Sequence, residues 1–176
     1  MSDLSPHGLP THGLSPHDLP THGLSPHDLP TRDLSTHDLS IRAAVPADLD
    51  AVLTFWKEAA EGTSISDDRD GIARLVERDP ECLLLAERGG RLAGTVIAGF
   101  DGWRCHLYRL AVHPDQRRRG VATALLSAAE ERFVSLGGRR GDAMVLDDNE
   151  RAQHAWRAAG YERESRWSRW VKPLTR

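Results

Sequence analysis

Residues 117–120 read Arg-Arg-Arg-Gly and stand between an apolar segment that ends at Val112 and a helical pattern that begins at Val121. The first amides of a helix have no intrahelical acceptor, and the helix dipole adds positive charge at the same end. Arginine side chains there add charge-assisted hydrogen bonds to an anion. The order of strand, arginine turn and helix therefore predicts a binding site for a phosphate-bearing ligand. The alternative is a basic turn with solvated arginines.

Small residues in the same turn agree with a phosphate site. Gly120 has no side chain, so the backbone at that position can approach a phosphate group closely. Ala122 is small and leaves the approach open. The turn is thus suited to an anion both by its charge and by its lack of bulk.

The elements around this turn predict an α/β fold on a mixed sheet. The order is βααβββαβαβ, because apolar residues alternate or run continuously in some segments and recur with helical spacing in others. Strands are expected at 41–45, 82–86, 92–100, 103–112, 143–146 and 161–171. Helices are expected from 49 until Gly62, at 67–78, at 121–136 and at 150–159.

Residues 1–39 differ from the rest, because leucine recurs every fifth residue and histidine usually precedes it by two places. A period of five fits neither helix nor strand, and one leucine in five is too little apolar surface to offset chain entropy. The repeat predicts a disordered tail followed by one domain at 40–176. The alternatives are a pentapeptide-repeat solenoid, a histidine-bound transition metal, a repeat expansion, or a start codon assigned too far upstream.

Bulk composition narrows the class of protein. The chain has 176 residues, a formal net charge of −3 and 2 cysteines. This length suits one domain with an appendage, and neither the charge nor the cysteine spacing predicts a nucleic-acid surface or a metal site. No apolar run approaches the length of a membrane span, and no signal peptide is indicated. We expect a cytoplasmic protein without nucleic-acid, membrane or metal partners.

The motif residues now allow a comparison with a known family. The strand end Val112-His-Pro, then Arg117-x-x-Gly120-x-Ala122 and a helix, resemble the acyl-CoA-binding motif of the GNAT acetyltransferase superfamily. Asn149-Glu-Arg-Ala and a later Gly160-Tyr161 are similar to its closing motif. The resemblance covers about residues 40–172. It implies a GNAT-like, mostly antiparallel mixed sheet flanked by helices, with acetyl-CoA as co-substrate.

The resemblance also implies cofactor contacts. Amides of 117–123 would hold the pyrophosphate, and the backbone of 110–112 would pair with the pantetheine arm as that strand and 143–146 splay apart. Asn149 would touch the pantetheine arm or cap a helix. Trp156 stands at the position where the family has a tyrosine that acts as general acid. An indole cannot be that acid, so Trp156 shields the thioester or belongs to the core. The expected cofactor-binding residues are Leu110, Ala111, Val112, Arg117, Arg118, Arg119, Gly120, Val121, Ala122, Thr123, Asn149 and Trp156.

The implied reaction is direct acetyl transfer to a primary amine of a small molecule or peptide. His106 matches the position of a catalytic glutamate in some family members, and imidazole titrates near neutral pH. Tyr108, two residues on and on the same strand face, can bind substrate or act with His106. These are the expected catalytic residues, in a monomer or homodimer. The alternatives are that His106 is a surface residue and that Tyr108 is an aromatic residue packed in the core.

Acidic residues in the first two helices and their loop can attract a cationic amine, or they form a solvated face with a helix cap. They are Glu58, Glu61, Asp67, Asp68 and Asp70. Two other functions stay open at this point. One is a non-catalytic acyl-CoA-binding or regulatory module on the same fold. The other is an unrelated α/β domain that binds another nucleotide, although the chain has no glycine-rich P-loop.

Overall fold

A computed structural model of the chain describes residues 39–62 and 64–174. The five-residue repeat lies outside the described residues except for Leu39, which opens the first strand. No helix within the described ranges has both the length and the apolar character needed to cross a membrane.

A five-stranded sheet organises the chain, in the spatial order β1-β2-β3-β4-β5. Its strands are β1 (Leu39–Ala43), β2 (Leu83–Arg88), β3 (Arg91–Phe100), β4 (Cys105–Val112) and β5 (Gly141–Ala143). The first four pair antiparallel, and β5 runs parallel to β4. The sheet is therefore mixed and mostly antiparallel, as the sequence pattern and the family resemblance predicted.

Helices cover both faces of this sheet. They are α1 (Leu49–Ala59), α2 (Arg69–Arg78), α3 (Val121–Ser135) and α4 (Glu150–Ala158). One buried cluster joins α1 and α2 to the sheet, with Val52 fully buried. A second joins α3 and α4 to the other face, with Leu125 fully buried. Since β2 and β3 are covered on both faces, their sequences are nearly continuous apolar runs.

The N-terminus of α3 lies directly on the sheet because of Gly94. A Cβ at this position would lie 2.7 Å from Cγ1 of Val121 and 2.9 Å from the carbonyl oxygen of Ala111. Only a residue without a side chain permits that approach. Gly94 thereby sets the arginine turn beside the end of β4.

The predicted final strand is wrong, since residues 161–171 form no strand. Trp167, Trp170 and Val171 are 75%, 92% and 72% exposed. Between 162 and 169, charged residues occupy both alternating sets of positions, so the segment has no apolar face to lay on the sheet. Its ion pairs include Arg163 with Asp147, 3.0 Å apart.

The fifth strand lies upstream of its predicted position at 143–146. It is formed by Gly141–Ala143, which pair with residues 105–107 of β4. Met144 and Leu146 are instead 50% and 53% exposed. The pairing between β4 and β5 ends at Leu107, because β4 bends shortly after this residue.

Candidate functional site

A β-bulge interrupts β4 where it borders the candidate site. Thr95 of β3 lies opposite Ala111, and Ile97 lies opposite Tyr108, so Arg109 and Leu110 together face one residue of β3. Such a bulge bends the strand and increases its twist. Arg109 has φ 51°, and the left-handed conformation costs an L-residue about 1–2 kcal/mol. Surrounding contacts must therefore hold it in place.

A buried hydrogen-bond chain holds the backbone of the bulge. The indole Nε1 of Trp56 donates to Oγ1 of Thr95 at 2.9 Å. That hydroxyl donates in turn to the carbonyl oxygen of Arg109 at 3.0 Å. Thr95 is fully buried, so breaking this chain would leave a polar group without water. Helix α1 and strand β3 thus fix the shape of β4.

A large cavity lies where β4 and β5 separate. Their pairing ends at Leu107 and Ala143, so the edge of β4 that follows is not covered by β5. The cavity has a volume of about 1240 Å³, and its lining includes residues 107–112 and 144–146 of the two separating segments. It extends from the connection between α1 and α2 to the start of α3. The expected splaying of the two segments is therefore present in the structure.

The arginine turn closes one end of this cavity. Gly120 is left-handed with φ 80° and immediately precedes α3, while Arg118 also has a positive φ of 61°. The first bond into the helix is from the amide of Ala124 to the carbonyl of Gly120, at 3.0 Å. Within the described residues, the amides of 118–123 donate to no protein group. They form the cluster of free donors that an anion requires.

The three arginine side chains take different directions. Nε of Arg117 donates to the carbonyl oxygen of Val112 at 3.3 Å. Arg117 and Arg118 line the cavity, and Arg118 is exposed. Arg119 is not part of the lining, and its guanidinium donates to Oε1 of Gln116 at 3.3 Å. Two of the three arginines are thus available beside the free amides.

Sequence reasoning missed Arg88, which braces the turn from the end of β2. Its Nη1 donates to Oε1 of Gln116 and its Nη2 to the carbonyl oxygen of Arg119, each at 3.1 Å. Its Nε is buried without an acceptor among the described residues. Arg88 and Gln116 are 28 positions apart in the sequence, so no local pattern indicates this contact. Arg88 adds a positive charge behind the turn and fixes its shape.

His106 and Tyr108 lie side by side on β4, with ring centroids 5.9 Å apart. Tyr108 lines the cavity and is 45% exposed, whereas His106 lies outside the lining and is half-buried. Burial raises the pKa of Tyr108 above its usual value. Of the two expected catalytic residues, only Tyr108 reaches the cavity wall.

Helix α4 supplies the opposite wall. Oδ1 of Asn149 accepts from the amide of Ala152 at 2.9 Å, so this residue caps α4 and also lines the cavity. Trp156 lines the cavity, is 8% exposed and packs edge-on against Tyr161 with centroids 4.9 Å apart. The Tyr161 hydroxyl donates to Glu130 at 3.0 Å and lies outside the cavity lining. Burial and the hydrogen bond to Glu130 raise its pKa, which makes this phenol a weaker acid than an ordinary tyrosine.

The connection between α1 and α2, described at residues 60–62 and 64–68 and here called the α1–α2 loop, forms the end opposite the arginine turn. Its Asp67 pairs with Arg109, and its Asp68 caps α2 by accepting from the amide of Gly71 at 2.6 Å. Two residues of the acidic set therefore have structural partners. Glu61 lines the cavity and lies 3.9 Å from Arg151.

Comparisons with known proteins agree with this architecture. The sequence profile of the acetyltransferase (GNAT) family matches residues 49–161. The chain is 36% identical to the acetyltransferase ECA0875 of Pectobacterium atrosepticum over 115 residues, which are 65% of this chain and 82% of that protein.

Two solved structures share the fold. One is AAC(6')-Iy in complex with the bisubstrate analog CoA-S-monomethyl-acetylneamine, with a TM-score of 0.62, 21% identity, and coverage of 78% of this chain and 99% of that one. The other is yncA of Salmonella typhimurium with its cofactor acetyl-CoA, with a TM-score of 0.57, 20% identity, and coverage of 70% and 79%. Together with the profile match and the curated relative, they place this chain in the GNAT family as an N-acetyltransferase.

Proposed function

We propose that the protein transfers the acetyl group of acetyl-CoA to a primary amine of a small molecule or peptide by direct attack. The observation that carries this proposal is the cluster of free amides at 118–123, which closes one end of the cavity between β4 and β5. A long cofactor with a phosphate end and a reactive thioester end fits such a cavity. The acetyl-CoA bound by the Salmonella relative supports the same cofactor.

The cofactor would lie along β4. The amides of 118–123 and the guanidinium groups of Arg117 and Arg118 hold the pyrophosphate through charge-assisted hydrogen bonds. The amide of Arg117, expected to join them, instead donates to the carbonyl oxygen of Pro114 at 3.3 Å. The pantetheine arm pairs with the backbone of residues 110–112, whose edge β5 leaves uncovered. Asn149 and Trp156 border the arm from α4. Trp156 is only 8% exposed and shields the thioester from water. It is not the general acid, because an indole has no acidic proton to donate at neutral pH.

The chemistry requires a neutral amine. Its nitrogen attacks the thioester carbonyl, a C–N bond forms, and the C–S bond then breaks to release the CoA thiolate. A backbone N–H near Val112 stabilises the negative oxygen of the intermediate. The amine proton leaves to His106 through water, and the thiolate takes a proton from Tyr108 or from water. Tyr108 suits the second role because it lines the cavity and its phenol carries a proton at neutral pH.

The acceptor enters from the α1–α2 loop, because the cofactor phosphates occupy the other end of the cavity. Trp56, Glu61 and Tyr108 all line the cavity. The acetylneamine part of the ligand bound to AAC(6')-Iy is an amine derivative, which supports an amine acceptor here. The buried, free Cys82 and Cys105 are consistent with a reducing, cytoplasmic setting.

Two measurements test this proposal. Calorimetry should show acetyl-CoA binding, and thiol release should rise above hydrolysis with at least one member of a panel of spermidine, L-lysine, kanamycin and a peptide with an N-terminal alanine. Failure to bind acetyl-CoA would contradict the proposed cofactor. Binding without thiol release from any panel member would instead favour the non-catalytic acyl-CoA-binding module.

A further inference from the structure

We propose that the ion pair between Arg109 and Asp67 positions the acceptor amine, by fixing the α1–α2 loop against the bulge of β4. This inference rests on the proposed function, because it assigns the loop side of the cavity to the acceptor. It makes Arg109 a positioning residue that acts through the loop rather than on the reacting atoms.

All three guanidinium nitrogens of Arg109 contact the loop. Its Nε donates to Oδ1 of Asp67 at 2.9 Å, its Nη2 pairs with Oδ2 of the same carboxylate, and its Nη1 donates to the carbonyl of Gly62 at 3.1 Å. Oδ2 of Asp67 also accepts from the amide of Ser64 at 2.7 Å. The side chains of Arg109 and Asp67 are only 13% and 20% exposed. One side chain of β4 therefore holds both ends of the loop.

The same arginine is fixed at its backbone. Its carbonyl accepts from Thr95, which Trp56 holds from α1, and its guanidinium carbon lies 5.6 Å from the centroid of the Trp56 ring. The strained φ of 51° belongs to this residue. Loop and bulge are therefore coupled through Arg109, whose backbone carbonyl bonds to the buried Thr95 and whose guanidinium bonds to the partly buried Asp67.

This coupling bears directly on acetyl transfer. The loop contributes Glu61, Gly62 and Asp67 to the cavity lining, and Leu110 directly follows the coupled arginine in β4. A displaced loop would move the acceptor wall relative to the thioester, and a misplacement of about 1 Å can cost about 100-fold in rate. The arginine turn, where the cofactor phosphates bind, has no part in the pair. Loss of the pair should thus affect the acceptor and spare the cofactor.

The test uses three variants and one matched control in the full-length chain. Arg109→Met removes the cation, and Asp67→Asn removes the anion without touching β4. The double variant Arg109→Asp with Asp67→Arg exchanges the charges, and aspartate tolerates the left-handed conformation better than most residues. The control is Arg69→Met. It breaks an exposed ion pair, 3.0 Å long, between Arg69 of α2 and Asp50 of α1, and so removes an arginine ion pair near the same loop.

Three readouts separate the possibilities: amide hydrogen exchange in residues 60–68, the Kd of acetyl-CoA, and kcat and KM for the panel amine that the unmodified protein acetylates fastest. In both single variants, exchange should quicken about tenfold and the amine KM should rise about tenfold, while the Kd stays within about twofold. The exchanged pair should recover part of the KM, and Arg69→Met should resemble the unmodified protein.

Unchanged loop exchange and KM in Asp67→Asn would overturn the inference, as would an equal effect of Arg69→Met. A parallel loss of acetyl-CoA affinity would show a general structural role for the pair and would also overturn it. If the unmodified protein binds no acetyl-CoA or acetylates no panel amine, the proposed function fails first, and the acceptor role of the pair fails with it even if loop exchange responds.

Discussion

Gly94 and Val121 approach so closely that a Cβ on the glycine would lie 2.7 Å from Cγ1 of the valine. This contact brings the first turn of α3 onto β3, next to the end of β4. The arginine turn and the proposed pantetheine strand are adjacent for that reason. A change at either residue should therefore affect both stability and cofactor binding.

Gly94→Ala should lower the free energy of unfolding by about 1–3 kcal/mol, because overpacking strains a close contact. It should also weaken acetyl-CoA binding, since α3 must move away from the sheet. Chemical denaturation and calorimetry measure the two effects. Gly99→Ala on the same strand is the control, because a Cβ there meets its nearest neighbour at 3.7 Å. Equal stability of the two variants would contradict the close approach.

Arg88→Met should weaken acetyl-CoA binding about tenfold, because the turn loses hydrogen bonds to Gln116 and Arg119, and charged hydrogen bonds contribute about 1.5–3 kcal/mol each. Calorimetry measures the change. The matched variant is Arg91→Met, an exposed arginine directly opposite Arg88 in the sheet. Unaltered affinity in Arg88→Met would mean that the turn keeps its shape without this brace.

Arg118 and Arg119 should differ in their importance although they are neighbours. Arg118→Ala should weaken acetyl-CoA binding about tenfold and reduce its salt dependence, because this side chain borders the free amides. Arg119→Ala should change the Kd by no more than about twofold, since its guanidinium lies outside the cavity lining and is exposed. Titrations at two salt concentrations measure both. The reverse ranking would place the pyrophosphate elsewhere on the turn.

Tyr108→Phe should lower kcat about 10- to 100-fold and leave the Kd of acetyl-CoA unchanged, if the phenol protonates the leaving thiolate. Burial favours the neutral phenol and so raises the pKa of Tyr108 above the usual 10.0. Activity that depends on this acid should therefore persist through neutral pH and fall only above pH 10, which a pH–rate profile measures. A profile of Tyr108→Phe that matches the unmodified protein would remove the assignment.

His106→Ala tests the proposed base separately. If His106 accepts the amine proton through water, the variant should lower kcat, because the attacking amine then loses the base that takes up its proton. The acetyl-CoA Kd should not change, because His106 lies outside the cavity lining. Unaltered turnover across the pH range would leave His106 as a strand residue without a catalytic role.

Deleting residues 1–38 should leave the melting temperature and the acetyl-CoA affinity unchanged, because the first strand begins at Leu39. Deleting residues 1–43 should prevent folding, since it removes β1 together with the ion pairs of Arg42 to Asp48 and Glu87. Thermal unfolding followed by circular dichroism compares the two. A large drop in melting temperature for the shorter deletion would show that the repeat supports the domain.

Local sequence patterns were sufficient to predict the features that depend only on residues close together in the chain. The arginine turn, its glycine and the helix that follows were predictable because they are contiguous. The alternation and apolar runs of β2, β3 and β4 were equally readable. Asn149 was expected to cap a helix, and it does. The prediction of a final strand at 161–171 was wrong. It gave weight to the aromatic residues of this segment, although charged residues occupy both of its faces.

The sequence by itself indicated the family, the order of the elements as far as α4, and the arginine turn before α3, because each depends on residue types at short spacing. Only the tertiary structure decided that Arg88 braces that turn, that Arg119 lies outside the cavity lining, and that Arg109 joins Asp67 across 42 positions of the chain. These contacts depend on a bulge in β4 and on the approach of α1 and α3 to the sheet. Such approaches arise from packing between distant segments, which no local pattern of residues encodes.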